Sequence, residues 1–137
     1  MNHPDNGIHS SPYKGRTGLR RIWNAFHYSL AGLRSAYRNE SAFRQEVWLA
    51  VLLAPIACLL PATLMQKTLL FASLFIVLIT ELLNSAVEAV VDRISIEDHE
   101  LAGRAKDMGS AAVLASLALC LLIWGLVLTD VLTPGDL

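Results

Sequence analysis

Residues 47–65 form a run of 19 positions without a charge, and residues 108–129 form another of 22. At about 1.5 Å of rise per residue, each run is long enough to cross most or all of a bilayer's hydrocarbon layer. A third apolar stretch, 68–91, is broken by ionisable or amide side chains only at Glu81, Asn84 and Glu88. The pattern predicts three transmembrane helices over 47–65, 68–91 and 108–129. Pro55 and Pro61 fall in the first, where freed carbonyls can be satisfied by neighbouring helices, so a kink or early end is expected near Pro61. Upstream, Ile22, Phe26, Leu30, Leu33 and Tyr37 recur every three or four positions while Arg20, Arg21, Arg34 and Arg38 point elsewhere. This predicts an amphipathic helix over 19–39. Its aromatics and arginines suit the headgroup layer of a membrane, a helix packed on a soluble partner being the alternative. Asn39-Glu40-Ser41 offers cap-type residues where the chain must turn.

Composition sharpens this picture. Of 137 residues 54% are hydrophobic and 17% charged, with a mean hydropathy of +0.47. A single small domain cannot bury that much apolar surface from water, so lipid must cover the rest. The fold class is an all-α membrane protein: a disordered N-terminal tail over 1–18, one domain over 19–132 and an outward-facing tail over 133–137. Eleven basic against 12 acidic residues give a net charge of −1, which excludes the basic excess of a nucleic-acid binder. Cys58 and Cys120 sit singly in apolar runs and read as packing residues. His3 and His9 lie in the tail with no second ligand at helical spacing. No removable signal peptide is expected.

Orientation follows from the basic residues. Seven precede the first span and Arg93, Arg104 and Lys106 lie between the second and third, leaving Lys67 alone on the other side. The N-terminus and the second loop are therefore expected to be cytoplasmic and the C-terminus outward, in the cytoplasmic (inner) membrane. No internal repeat supports a transporter of duplicated halves.

The second span carries the chemistry. At 100° per residue Glu81 and Glu88 lie about 20° apart around the helix, with Asn84 and Asp92 within roughly 60° of Glu81. Asp92 is expected at the cytoplasmic interface, Glu88 one turn deeper, and Glu81 about 10 Å below Glu88. Interhelical hydrogen bonding could account for Asn84. Two intramembrane glutamates point to function, because without a cation they could not both stay ionised. In the second loop Ser95 stands three residues before Asp98, a capping-box spacing that would start a helix running into the third span. On that helix His99, Gly103, Lys106 and Ser110 share a face. Residues 108–118 are dense in Gly, Ala and Ser, which allows close helix approach. The chain lacks GxxxxGK[ST], GxGxxG and HExxH, so phosphate chemistry would rest on carboxylate-held metal and basic side chains.

The strings NESAFRQE at 39–46, ELLNSAVEAVVDR at 81–93 and HELAGRAKDMGSAAVL at 99–114 resemble the bacterial integral-membrane diacylglycerol kinase family. The resemblance covers residues 18 to about 129. It implies a small homotrimeric enzyme that transfers the γ-phosphate of MgATP to the hydroxyl of diacylglycerol, giving phosphatidic acid. By matching positions, Glu81 resembles the catalytic base, with Asn84 orienting a neighbouring glutamate, and Glu40 and Glu88 resemble the carboxylates that hold Mg2+. Nucleotide contacts are implied at Arg21, Tyr28, Glu40, Glu88, Glu97, Asp98, His99, Lys106 and Asp107. A lipid-facing wall is implied at Arg34, Ser35, Ala36, Tyr37, Ala42, Phe43, Arg44, Gln45 and Glu46, with Glu81 and Ser110 also meeting the substrate. Two other readings stand beside it. One is an undecaprenol kinase of the same superfamily; the other is a small oligomeric ion channel or exchanger lined by Glu81 and Glu88.

Overall fold

The computed structural model describes residues 18–94 and 100–133, all of the regular structure among them helical. In chain order the helices are α1 (Leu19–Asn39), α2 (Ser41–Leu59), α3 (Leu64–Ile94) and α4 (Glu100–Leu132). The expectations for residues 1–17, for Ser95 to His99 and for residues 134–137 lie outside the described residues.

The chain forms two compact units that divide between Arg34 and Ser35. In the first, α1 starts behind Gly18, whose φ of +90° is a backbone conformation that glycine adopts without strain. The Gly18 carbonyl accepts from the Arg21 amide at 3.0 Å. The apolar stripe of this helix is solvent-accessible, with Ile22, Trp23, Phe26 and Leu30 all exposed. Such a stripe is what a membrane-surface helix buries among lipid headgroups and acyl chains.

In the second unit, α3 packs most extensively on α4 and less on α2. Its inward face repeats at Leu70, Leu74, Val77, Glu81 and Ser85, the three- and four-residue spacing of a helix stripe. The first three of these join Ala57 of α2 and Cys120, Trp124 and Val127 of α4 in one buried cluster. Ser73 and Ser116 are also buried, and each hydroxyl donates back to its own helix, to the carbonyls of Leu70 and Val113 at 2.7 Å. Small, self-satisfied side chains at such positions let helices approach without orphaning a polar group. The opposite faces expose Leu52, Phe75, Leu121 and Leu126. Helices α2, α3 and α4 are each long and apolar enough to cross a membrane.

Of the two outcomes expected near Pro61, a kink or an early end, the structure has the early end: α2 stops at Leu59, and Leu64 and Met65, placed by the charge-free run in the first span, open α3. The cause is Pro61, which cannot continue the helix and is followed by a new N-terminus. There the Thr63 amide and hydroxyl both donate to Gln66 Oε1, at 2.8 and 3.0 Å, while the Gln66 amide donates to the Thr63 hydroxyl at 3.3 Å. This is a reciprocal capping box. Lys67 Nζ donates to the Cys58 carbonyl at 2.8 Å, satisfying the end of α2, and Gln66 Nε2 donates to Asp130 Oδ2 at 2.7 Å, tying the start of α3 to the end of α4. Pro55 is accommodated inside α2.

Candidate functional site

The site begins at the break between α1 and α2. Glu40 adopts an extended backbone (φ −103°, ψ 116°), so its amide closes α1 on the Ala36 carbonyl at 2.8 Å while its carbonyl opens α2 by accepting from the Arg44 amide at 3.3 Å. Its side chain makes no capping bond to the helix it precedes. The turn is held instead by Arg44, whose Nη1 donates to the carbonyls of Tyr37 and Arg38 at 3.2 and 3.0 Å. These are among the last carbonyls of α1, which the helix itself leaves without partners. Arg44→Met is expected to destabilise the turn by about 1 kcal/mol, since both bonds come from a charged donor at an accessible site. Faster amide exchange over residues 37–44 than in the unaltered protein would register it, and unchanged exchange would remove Arg44 from this role.

From that pivot the inward face of α2 runs through Phe43, Glu46 and Ala50 toward Ala57. Facing it, Glu81 of α3 is 4% exposed. Glu40 and Glu46 at the start of α2, and Glu88 on α3, lie within electrostatic range of Glu81. Three buried oxygens in this region, Glu46 Oε2, Asn84 Oδ1 and Ser85 Oγ, have no hydrogen-bond partner among the described residues. Buried polar atoms are nearly always paired, so such a group of orphans marks a place built for something other than the chain itself. Within the acidic stripe Glu81 is buried against protein, Asn84 and Glu88 are half-buried and Asp92 is exposed.

Above Glu81 the stripe continues toward the end of α3. Asn84 Nδ2 donates to Glu88 Oε1 at 3.4 Å, a long bond that nonetheless aligns the two side chains. Asp92 pairs with Lys106 of α4 at 2.8 Å, a partly exposed ion pair in which Lys106 also attracts Glu88. Asp107 and Ser110 follow Lys106 and are exposed. Of the implied lipid wall, Ala36 and Phe43 are buried, Tyr37, Ala42 and Gln45 are exposed, and Ser35 accepts from Asn39 Nδ2 at 3.2 Å. Arg21, Tyr28 and Arg34 belong to the other unit, with exposed side chains. Glu97, Asp98 and His99 lie outside the described residues.

Glu46, which the resemblance implies in the lipid-facing wall, lies within electrostatic range of Glu81. Its spacing from Phe43 and Ala50 puts it on the buried side of α2. The link between Asp92 and Lys106 was not foreseen, because the two lie on different helices.

Comparison with known proteins extends these observations. Residues 27–128 match the family model described as prokaryotic diacylglycerol kinase. A diacylglycerol kinase of Pseudomonas aeruginosa is 52% identical over 118 residues, covering 86% of this chain and 96% of that protein. The diacylglycerol kinase of Escherichia coli K12 is 52% identical over 112 residues, covering 82% and 92%. That of Haemophilus influenzae is 50% identical over 109 residues, covering 80% and 92%.

Proposed function

The chain belongs to the prokaryotic diacylglycerol kinase family, and from that premise we propose that it is an ATP-dependent diacylglycerol kinase. It phosphorylates the free hydroxyl of diacylglycerol to give phosphatidic acid. The observation that carries the reading is the buried Glu81 within electrostatic range of Glu40, Glu46 and Glu88, on helices apolar enough to span a bilayer. A proton acceptor at that depth can serve a substrate that never leaves the membrane.

In this mechanism the Glu81 carboxylate accepts the proton of the lipid hydroxyl as that oxygen attacks the γ-phosphorus. The bond from γ-phosphorus to the bridging oxygen breaks and ADP leaves. Phosphoryl transfer of this kind needs positioning and charge neutralisation more than covalent help from the protein. Asn84, bonded to Glu88, keeps the neighbouring carboxylate in line with the stripe. Lys106, held by Asp92 at the cytoplasmic end, is the phosphate partner. Glu97, Asp98, His99 and Asp107, together with Arg21 and Tyr28 of the surface helix, complete the nucleotide contacts. The lipid wall comprises Arg34 to Tyr37 and Ala42 to Glu46, with Ser110 opposite.

The donor set fits magnesium. This hard cation is commonly held by one or two carboxylates, with phosphate oxygens and water filling the rest of its shell. Glu40 and Glu88 are such a pair, and the orphaned Asn84 Oδ1 is a further oxygen donor beside Glu88. Glu40 and Glu88 would hold the ion, and when bound it neutralises charge on the ATP phosphates.

The protein acts in the cytoplasmic membrane with its N-terminus inside and its C-terminus outside, a reading that the distribution of basic residues supports. It works as a homotrimer, which the exposed apolar faces of α2 to α4 and the small residues of 108–118 support. The test is phosphorylation of diacylglycerol and of undecaprenol by purified protein with labelled ATP. Label is expected in phosphatidic acid; preferential labelling of the isoprenoid would overturn the substrate assignment, and ion flux without ATP consumption would overturn the kinase.

A further inference from the structure

Four glycines on the described helices and turns, Gly18, Gly32, Gly103 and Gly125, would each accept a methyl group with no atom within 4 Å. Gly109 differs. A side-chain carbon built there overlaps Asn84 Oδ1 and lies 3.3 Å from Asn84 Cγ and 3.9 Å from Asn84 Cα. At Gly109 the backbone of α4 thus passes close against α3, at the amide between the two glutamates of the acidic stripe.

We infer that Gly109 is a positioning residue for phosphoryl transfer: its bare backbone leaves the space in which the Asn84 carboxamide is held against Glu88. The inference rests on the proposed kinase reading of the stripe. Asn84 Nδ2 reaches Glu88 Oε1 at 3.4 Å, already near the limit of a hydrogen bond, so a small displacement breaks it. Asn84 Oδ1, buried and without a partner, is turned toward α4 by packing rather than by a hydrogen bond. Nothing but the missing side chain at 109 lets it stay there. A methyl at that position must push the carboxamide away or lift α4 from α3. Either movement separates Nδ2 from Glu88. Glycine costs helix stability relative to alanine, so its presence in the middle of α4 is accounted for by this close approach.

The experiment is a double-mutant cycle in the full-length protein, with kcat and KM measured for ATP and diacylglycerol and Tm followed in the same micelles. Gly109→Ala is expected to lower kcat about tenfold or more, because misplacing a group by an ångström at a reacting centre carries a penalty of that order or larger. KM for ATP and for diacylglycerol is read beside kcat, because Glu88, Asp107 and Ser110 are among the proposed contacts, and the fall in kcat is expected to exceed any rise in either KM. In an Asn84→Ala background the added methyl has room, and Gly109→Ala should leave both the residual kcat and Tm unchanged or raise Tm. A kcat for Gly109→Ala equal to that of the unaltered protein would overturn the inference. So would the same proportional losses of kcat and Tm in both backgrounds, which is what a purely structural role produces. If Gly109→Ala alone does not fold, comparing Asn84→Ala with the double variant still decides: restored folding supports the contact and continued failure overturns it. An unaltered protein inactive on diacylglycerol would defeat the kinase reading separately, while the Tm cycle would still report on the contact.

Discussion

Glu81→Gln is expected to lower kcat about a thousandfold while KM for ATP and for diacylglycerol changes little. The substitution preserves the size of a side chain that is only 4% exposed and deletes its capacity to accept a proton. Its effect on stability should run the other way. Glu81 sits among the like charges of Glu40, Glu46 and Glu88, so a neutral amide relieves repulsion and can donate to one of the remaining carboxylates. Tm should therefore hold or rise. Loss of turnover with gain of stability separates a catalytic base from a packing residue, for which both would fall together. A kcat within about threefold of the unaltered enzyme would remove Glu81 from the base role, because general-base catalysis contributes far more than that.

Glu88→Gln is expected to raise the magnesium concentration needed for half-maximal activity by about tenfold or more, with part of the lost rate recovered at high magnesium. The geometry isolates the charge effect. Asn84 Nδ2 donates to Glu88 Oε1, and the carbonyl oxygen of glutamine can accept the same bond, so the alignment survives while one anionic ligand is lost. Glu40→Gln should shift the magnesium curve in the same direction, since Glu40 spends none of its oxygens on capping α2. Chelation of magnesium should abolish turnover in every case. Superimposable magnesium curves for the unaltered enzyme and both variants would end the assignment of these carboxylates to the metal.

Both expectations start from a stripe that was visible in the chain, but its reach was visible only in part. Spacings of three, four and four put Glu81, Asn84, Glu88 and Asp92 on one side of a helix without any knowledge of neighbours. Glu46 escaped because its membership depends on which side of α2 turns toward α3. The resemblance implies Arg44 in the lipid-facing wall, and the turn at Glu40 also brings its guanidinium back onto the carbonyls of Tyr37 and Arg38. Such a bond depends on the angle of chain reversal, and no local residue pattern encodes that angle. The early end of α2 was half legible: Pro61 announced a break, but only the pairing of Thr63 with Gln66 showed that a new helix begins at once.

By itself the amino-acid sequence determined that this protein has an amphipathic helix followed by three membrane-length helices, and that one of them carries Glu81, Asn84, Glu88 and Asp92 on one side. Lipid offers no hydrogen bonds, so a long apolar run has little choice but to become a helix, and the helical period then assigns each residue an azimuth. Tertiary structure alone decided which azimuth faces protein. In water the buried face of a helix is apolar and the other polar; in a bilayer both are apolar, and hydrophobic periodicity cannot tell lipid from a neighbouring helix. That Glu81 looks inward, that Glu46 joins it and that Gly109 closes on Asn84 are all consequences of how α2 and α4 dock on α3, set by side-chain volumes far apart in the chain.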